Sequence, residues 1–392
     1  MTDTTIGGML EAARTATGLS DFGDEWYLGP LAAWAADLDD PRLNDFGRGF
    51  LRTLAVRDLA RRLRVLHTLR EHPEIDAVPI PPIVYITGLE RSGTTLLHNL
   101  LALHPQARAL LRWELMEPVP PPQAATHASD PRIAAVQASV DKLRGSLIES
   151  MHWVNADEPE ECVWGFIDAV GMLGQAAMLC MPRWRRWLTE EDMTPAFVHY
   201  RRVVQLLLWR HPVEAGGFLV LKAPQIARHI AAFAGVFPEA RFVVTDRDPF
   251  RCLASMVMMG RAIIDPFCAD NPITDDGRRG AVGLANVAAK LAALDAFADE
   301  APARVRRVAY PDLVADGAGT AARLLAALGL PPSAEHAARM AAFLAAQRSG
   351  ARAAAPGRID AQGYEHDRVL AEPRIAAYCA RHAIAPERQR LC

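Results

Sequence analysis

The stretch Ile83-Val-Tyr-Ile-Thr-Gly88-Leu-Glu-Arg91-Ser92-Gly93-Thr94-Thr95-Leu96 decides the fold. Its apolar half predicts a buried strand, its glycine-bounded half a turn, and the letters TTLLHNLLALH (94–104) a helix. This order directs backbone N–H groups and the positive end of a helix dipole at one point, which suits a phosphate. The alternative is a glycine-rich turn that binds nothing.

The loop departs from a nucleoside-triphosphate loop at one position. Gly88 and Gly93 have the Walker A spacing, but that motif continues with a lysine and a serine or threonine. Here Thr94 stands at the lysine position, and the cation lies inside the turn as Arg91. The loop can hold a phosphate without the lysine that ATP or GTP chemistry uses. A P-loop kinase or NTPase is therefore the second hypothesis, not the first.

The same strand–turn–helix order recurs further along the chain. Strands are predicted at 83–87, 218–222, 241–245 and 305–310, and helices at 94–104, 225–236, 250–260 and 320–328. Such repetition predicts an α/β fold, with a P-loop-like parallel sheet flanked by helices.

The remaining segments are predicted to be helical. A leucine stripe within residues 1–80 predicts an N-terminal helical segment, and residues 118–217 read as a helical insertion that caps the sheet. Residues 349–392 read as a loop, SGARAAAPGR (349–358), and a short helix. Because the insertion falls between two strands of one sheet, a single domain is expected over 1–392.

The composition limits the classes of binding partner and the cellular compartment that are expected. The 392 residues carry a net charge of −3, which gives no general attraction for nucleic acid. Six cysteines include no CxxC pair or zinc spacing, so a reduced, cytoplasmic protein is expected. The apolar run 163–181 carries Asp168 and Gln175 and reads as a buried helix, so no transmembrane segment is expected. The sequence leaves the oligomeric state open, a homo-oligomer included.

A second anion site is predicted in TDRDPFRCLASM (245–256). Arg247 follows a strand, and Ser255 lies eight residues on, within the next predicted helix. The carboxyl ends of parallel strands meet in the crevice where open α/β sheets bind ligands, so both side chains are expected beside the first loop. The alternative is a surface pair that caps a helix. Two anion sites without a Walker lysine or an obvious magnesium carboxylate suit a nucleotide phosphorylated at two places.

Three segments together resemble the PAPS-dependent sulfotransferase family, in its bacterial and Golgi-type branch: GLERSGTTLLHNLLALHP (88–105), LKAPQIARHIAAFAGVFPEARFVVTDRDPFRCLASM (221–256) and VRRVAYPDLVADGAGTAARLLAALGLP (305–331). PAPS is 3′-phosphoadenosine 5′-phosphosulfate, the sulfate donor. The resemblance implies transfer of a sulfuryl group from PAPS to a hydroxyl or amine, with release of 3′,5′-bisphosphoadenosine.

The resemblance also implies residue roles. The donor's 5′-phosphosulfate would be held by the loop residues Arg91, Ser92, Gly93, Thr94 and Thr95, and its 3′-phosphate by Arg247 and Ser255. Arg352 and Arg358 would supplement the 3′ site, although the family's pattern is hard to match there. Because a sulfuryl group carries less charge than a γ-phosphate, no metal is expected.

Lys222 is the predicted catalytic lysine. It ends the strand GFLVLK, where Golgi-type relatives keep a lysine, and only two other lysines occur among 43 basic residues. A compact, flexible ammonium suits stabilisation of the leaving phosphate oxygen better than a planar guanidinium does. The alternative is a lysine that is there by chance.

The sequence offers two candidates for the base that deprotonates the acceptor. Glu114 lies near the glutamate of some Golgi-type relatives, and His152 lies near the position of the cytosolic branch's histidine. A histidine is well suited to base work near neutral pH. Glu158, Glu160 and Glu161 add carboxylates in the same stretch. Each has a structural alternative, which for Glu114 is pairing with a nearby arginine.

The acceptor itself has no motif. It is expected to be a small molecule, a lipid or a carbohydrate bound by the insertion, because fold alone does not determine substrate. A third hypothesis is a nucleotide-binding relative without activity. In that case Lys222→Ala would leave its function intact.

Overall fold

The computed structural model describes residues 5–146, 149, 154–170, 181–268, 276–330, 333–349 and 366–387. In this part of the chain five parallel strands form one sheet in the order β2-β3-β1-β4-β5. The strands are β1 (Ile83–Gly88), β2 (Ala107–Ala109), β3 (Phe218–Lys222), β4 (Ala240–Asp246) and β5 (Val305–Ala309). The predicted α/β fold with a parallel sheet flanked by helices is confirmed.

Helices precede, interrupt and follow the strands. The first half of the chain contains α1 (Ile6–Thr17), α2 (Leu28–Leu38), α3 (Asp45–Glu71), α4 (Thr94–Ala102), α5 (Arg112–Met116), α6 (Pro131–Asp141), α7 (Ile167–Val170) and α8 (Pro182–Glu190). The second half contains α9 (Thr194–Trp209), α10 (Ile230–Val236), α11 (Pro249–Ile264), α12 (Asp276–Glu300), α13 (Tyr310–Ala315), α14 (Gly317–Ala327), α15 (Ala334–Ser349), α16 (His366–Leu370) and α17 (Pro373–Arg381). Short 3₁₀ helices span Glu25–Tyr27, Pro73–Ala77, Ala124–Ser129, Cys162–Gly165, Pro224–His229, Asp265–Phe267 and Pro302–Arg304.

The sheet is buried on both faces, as a parallel sheet requires. Alternate residues of β1 point in opposite directions, so Val84 packs with α4 and α14 while Tyr85 packs with α9 and α10. The central strands β1 and β3, which are buried along their whole length, are almost continuously apolar for that reason. Burial of two apolar faces, at roughly 25 cal/mol per Å², is the main force that stabilises this layer arrangement.

The N-terminal segment is helical, as predicted. The leucine stripe lies on α3, where Leu51, Leu59 and Leu63 are buried against the main core. The helix ends at Glu71, just before Pro73, because proline lacks the N–H that a continued helix would need. The described part of the insertion is also helical, with α6, α8 and α9 as its longest elements.

Three local predictions differ from the structure. Strand β2 was not expected, because Ala-Arg-Ala at 107–109 has no apolar run and pairs with β3 only at the sheet edge. The predicted helix 225–236 begins as the 3₁₀ helix Pro224–His229 before it becomes α10. Tyr310, predicted as the end of a strand, is the first residue of α13.

No helix in the described ranges is long and apolar enough to cross a membrane. The apolar run 163–181 starts as the 3₁₀ helix Cys162–Gly165 and the short helix α7, and residues 171–180 lie outside the described residues. Asp168, which argued against a membrane span, is buried and bonds to His199 on α9 at 2.9 Å.

Candidate active site

The two predicted anion sites adjoin each other at the carboxyl ends of β1 and β4. These strands are neighbours in the sheet, and Gly88 is paired with Thr245. The Nη1 of Arg247 donates to the carbonyl oxygen of Arg91 at 2.7 Å, and the Nε of Arg91 donates to Ser255 Oγ at 3.0 Å. The residues assigned to the two phosphates therefore share one crevice.

Two glycines let the loop between β1 and α4 turn this sharply. Gly88 has a φ of 136° and Gly93 a φ of 93°, values that residues with a Cβ rarely adopt. A Cβ at Gly88 would stand 2.6 Å from the carbonyl oxygen of Thr245, and one at Gly93 2.9 Å from the ring of Tyr310. The loop thus fits against β4 and α13 only with glycine at both positions.

The hydroxyl of Ser92 faces inward, away from the crevice. Its Oγ lies 2.5 Å from Leu89 O and 2.5 Å from Thr245 Oγ1, and the residue is fully buried. It joins the loop to β4, while Thr94 opens α4 and Thr95 is exposed behind it. The backbone N–H groups in the first turn of a helix have no partner within that helix, so the start of α4, with the exposed Thr95, is the part of the loop that can donate to an anion.

Lys222 lies on the other side of this loop. It ends β3, next to Ile86 of β1, and is 1% exposed. Its Nζ lies 2.6 Å from Glu161 Oε1 and 3.4 Å from Thr95 Oγ1. The second carboxylate oxygen of Glu161 accepts from Gln225 Nε2 at 2.7 Å. A cation and a carboxylate thus meet at the mouth of the loop between β1 and α4 (89–93), which we call the phosphate loop after its predicted ligand.

His98, one turn along α4, is kept uncharged behind Lys222. Burial, and after it the positive charge of Lys222, lowers the pKa of His98 to about 3. Its Nε2 contacts Val220 O at 3.3 Å, while Nδ1 is buried and bonds to no residue in the described part of the chain. The positive charge behind the loop is therefore carried by Lys222 and not by the histidine.

Arg247 holds a carboxylate from the C-terminal segment. Its Nε and Nη2 donate to the two oxygens of Glu387 at 2.6 and 2.9 Å, and its guanidinium stacks on Tyr310 with 3.9 Å to the ring centre. Arg251 adds a longer contact of 3.6 Å to the same carboxylate. Burial is the largest single influence and lowers the pKa of Arg247, but the hydrogen bonds to Glu387 and the neighbouring groups that favour the cation together raise it. Arg247 thus binds both oxygens of one carboxylate in this structure.

The three carboxylates of the DEPEE stretch have different partners. Glu158 accepts from Asn155 at 3.0 Å, and Glu160 accepts from Arg112 at 2.7 Å. Glu161 alone bonds to Lys222. Of these acids, Glu161 is the one that the fold brings to the phosphate loop.

Glu114 lies in a buried ion pair. One oxygen accepts from Arg108 at 2.7 Å and the other from the Leu111 backbone N–H at 2.8 Å, and the residue is 0% exposed. Burial opposes the charged form, but Arg108 leads the groups that lower the pKa of Glu114. This agrees with the alternative interpretation, in which Glu114 is the partner of a nearby arginine.

Glu114 also belongs to a carboxylate–histidine cluster. Its oxygen lies within 4.8 Å of ligand atoms of His127 and His211, a spacing that a metal ion could bridge. Arg108 Nη2, however, donates to Glu114 and also lies 3.1 Å from His211 Nδ1, so a guanidinium already holds the cationic position. The other predicted base, His152, lies outside the described residues, as do Arg352 and Arg358.

A model of the sulfotransferase family matches residues 82–335. The chain belongs to the sulfotransferase family. This match includes β1 to β5, the phosphate loop, Lys222 and Arg247.

Solved sulfotransferases share the whole architecture. Sulfotransferase STF9 from Mycobacterium avium is 26% identical, with a TM-score of 0.88 over 99% of both chains. Sulfotransferase STF1 from Mycobacterium tuberculosis H37Rv is 25% identical, with a TM-score of 0.80 over 96% of this chain and 100% of its own. The N-terminal helices and the insertion are thus covered by the similarity as well as the sheet.

A named relative gives an acceptor for comparison. Omega-hydroxy-beta-dihydromenaquinone-9 sulfotransferase Stf3 of Mycobacterium bovis is 26% identical over 263 residues. The match spans 65% of this chain and 64% of that relative's length. The Mycobacterium tuberculosis CDC 1551 / Oshkosh protein of the same name matches to the same extent.

Several residues that contact the candidate site carry no signal in the sequence. Glu161 is one of three acids in its stretch, and no motif points to Gln225, Tyr310 or Glu387. Glu161 lies 61 positions from Lys222, and Glu387 lies 140 positions from Arg247, so no local pattern links them.

Proposed function

We propose that the chain transfers a sulfuryl group from PAPS to a hydroxyl group of an apolar acceptor and releases 3′,5′-bisphosphoadenosine. The observation that carries the proposal is the contact between Arg91 and Arg247 at the ends of two neighbouring strands. Two cationic positions this close favour one nucleotide with two separate phosphates. The missing Walker lysine argues against a kinase or NTPase.

In this proposal the donor's two ends bind to different elements. The 5′-phosphosulfate takes the N–H groups at the start of α4, with Arg91, Thr94 and Thr95 around it. The 3′-phosphate takes Arg247 and Ser255, where Glu387 now supplies two carboxylate oxygens. That carboxylate supports the assignment, because a bidentate oxyanion already fits the guanidinium.

The acceptor oxygen attacks sulfur in line with the bond to the bridging phosphate oxygen. That S–O bond breaks, and negative charge develops on the leaving oxygen of bisphosphoadenosine. Lys222 is proposed to stabilise this charge, since its ammonium has three donors and can keep Glu161 while it binds the leaving oxygen. The transferred sulfuryl group carries less negative charge than a γ-phosphate, so the proposal includes no metal.

The hydroxyl proton needs a base, and Glu161 is the acid that supports this role best. Its carboxylate lies beside Lys222 and is 15% exposed, so an acceptor can reach it. Glu114, by contrast, is completely buried in its ion pair with Arg108, so an acceptor cannot reach its carboxylate in this arrangement. Glu114 and His152 remain predictions for the same role.

An apolar acceptor is favoured by a cleft between the N-terminal segment and the insertion. The cleft is open to solvent and is lined mainly by apolar residues, among them Leu31, Trp34 and Trp184. The buried Nε1 of Trp34 has no hydrogen-bond partner among the described residues and can donate to an oxygen of a bound molecule. By its name, the relative Stf3 acts on a hydroxylated menaquinone, which is also an apolar alcohol.

The test combines donor binding with transfer. Thermal stabilisation is measured with bisphosphoadenosine and with ATP–magnesium, and ³⁵S-labelled PAPS is then offered with an isoprenoid alcohol or a hexose. We expect stabilisation by bisphosphoadenosine and label on the isoprenoid alcohol. Stabilisation by ATP–magnesium alone would favour the kinase hypothesis, and donor binding without transfer to any acceptor would favour the inactive relative.

A further inference from the structure

Lys290 forms a buried ion pair with the phosphate loop. It lies on α12, is 4% exposed and bonds through Nζ to Glu90 Oε1. Glu90 stands between Leu89 and Arg91, inside the loop that joins β1 to α4. Its second oxygen is buried and has no hydrogen-bond partner in the described structure. Lys290 is thus the cation that balances the one acid of this loop.

Helix α12 connects this ion pair to the rest of the site. It packs against the 3₁₀ helix Pro224–His229, which follows Lys222, and against α11, which carries Ser255. Val287 and Leu291, on the turns beside Lys290, are buried in one cluster with Leu89 and Leu253. Lys290 is therefore held in place by packing on both sides of its helix.

The negative charge of Glu90 affects anion binding because Glu90 lies inside the phosphate loop. A carboxylate beside an anion site repels the anion, and the low dielectric of a buried position enlarges the effect. A buried acid without its partner is also expensive, because its desolvation is no longer compensated. The ion pair with Lys290 offsets both costs.

We propose that Lys290 is a positioning residue for donor binding that acts through Glu90: it neutralises this carboxylate, so that the phosphate loop does not repel the 5′-phosphosulfate. The proposal rests on the proposed function for the nature of the donor. It gives a role to the third of the chain's lysines and explains why an acid is tolerated next to Arg91.

The test is calorimetric titration of bisphosphoadenosine, with the acceptor reaction measured in parallel. Lys290→Met is expected to weaken binding about tenfold and to raise the KM for PAPS, with kcat at saturating donor near wild type. Lys290→Arg keeps the charge and is expected to restore most of the affinity. Lys142→Met, which removes an exposed lysine, is the matched control.

Glu90→Gln keeps the inference testable should Lys290→Met fail to fold. Removal of the carboxylate leaves Lys290 positive beside the loop, so donor binding is expected to stay equal or become tighter. The pair Glu90→Gln/Lys290→Met is expected to return to near wild-type affinity. Weaker binding by Glu90→Gln, or no recovery in the pair, would overturn the inference. If the wild type itself does not bind bisphosphoadenosine, the proposed function fails instead.

Discussion

The Nζ of Lys222 lies 2.6 Å from Oε1 of Glu161, so the end of β3 and the start of the Cys162–Gly165 helix meet at the phosphate loop. One residue comes from the sheet and the other from the insertion. The insertion therefore does more than cover the sheet, because it brings a carboxylate to the predicted catalytic lysine. Acceptor and donor chemistry can thus be joined at a single ion pair.

Lys222→Ala should remove turnover and leave donor binding nearly intact. The loss of one donor to a developing negative charge typically lowers kcat by about 10²- to 10³-fold. Single-turnover transfer and bisphosphoadenosine titration measure the two effects separately. Lys142→Ala serves as the control for an exposed lysine. A variant that keeps wild-type turnover would show that Lys222 takes no part in the chemistry.

Glu161→Gln should lower kcat while the protein keeps its fold. Removal of a general base costs about 10²- to 10⁴-fold, and glutamine can still bond to Lys222 and Gln225. The matched control is Glu158→Gln, three residues away, which contacts Asn155. Should Glu114→Gln abolish turnover in a folded protein while Glu161→Gln does not, the base assignment would pass to Glu114.

Glu387→Gln should tighten the binding of bisphosphoadenosine. In the structure the carboxylate of Glu387 occupies both donors of the Arg247 fork, so a 3′-phosphate has to displace it. Loss of the negative charge makes that exchange easier, by about three- to tenfold in affinity. Calorimetric titration measures the change. Weaker binding by the variant would mean that Glu387 orients Arg247 for the ligand instead of competing with it.

The stability of the protein should fall as the pH is lowered below 7, in part because of His98. Its folded pKa of about 3 is below the ordinary 6.5, so the unfolded chain takes up the proton first. The contribution of neutral His98 to the free energy of unfolding is complete above pH 6.5. It is lost as the pH falls towards 3, by up to ~1.4 kcal/mol per pH unit. Urea unfolding at pH 7 and pH 5 should therefore show a smaller difference in His98→Leu. A difference as large as that of the wild type would contradict this.

The sheet could be predicted because its strands carry their own signal. β1, β3 and β4 are short apolar runs that each end in a turn, and the structure places them within a residue or two of the prediction. β2 has no such run and forms only because β3 offers a free edge. Burial on both faces thus leaves a pattern in the sequence, whereas edge pairing does not.

The residues assigned to the PAPS donor could be predicted from the sequence more fully than the residues that contact them. Arg91, Arg247 and Ser255 could be placed together because parallel strands end at one edge, and the structure joins them by hydrogen bonds. The partners of Lys222 and Arg247 come from distant segments, and their approach depends on packing between helices. The role of each residue stays a prediction.

The most direct measurement compares bisphosphoadenosine with adenosine 5′-monophosphate, which lacks the 3′-phosphate, on the wild type and Arg247→Ala. We predict that the wild type binds bisphosphoadenosine more tightly by about tenfold or more, and that Arg247→Ala removes this preference and binds the monophosphate as before. Equal affinity of the wild type for the two ligands would contradict the claim that Arg91 and Arg247 bind the two phosphates of one nucleotide.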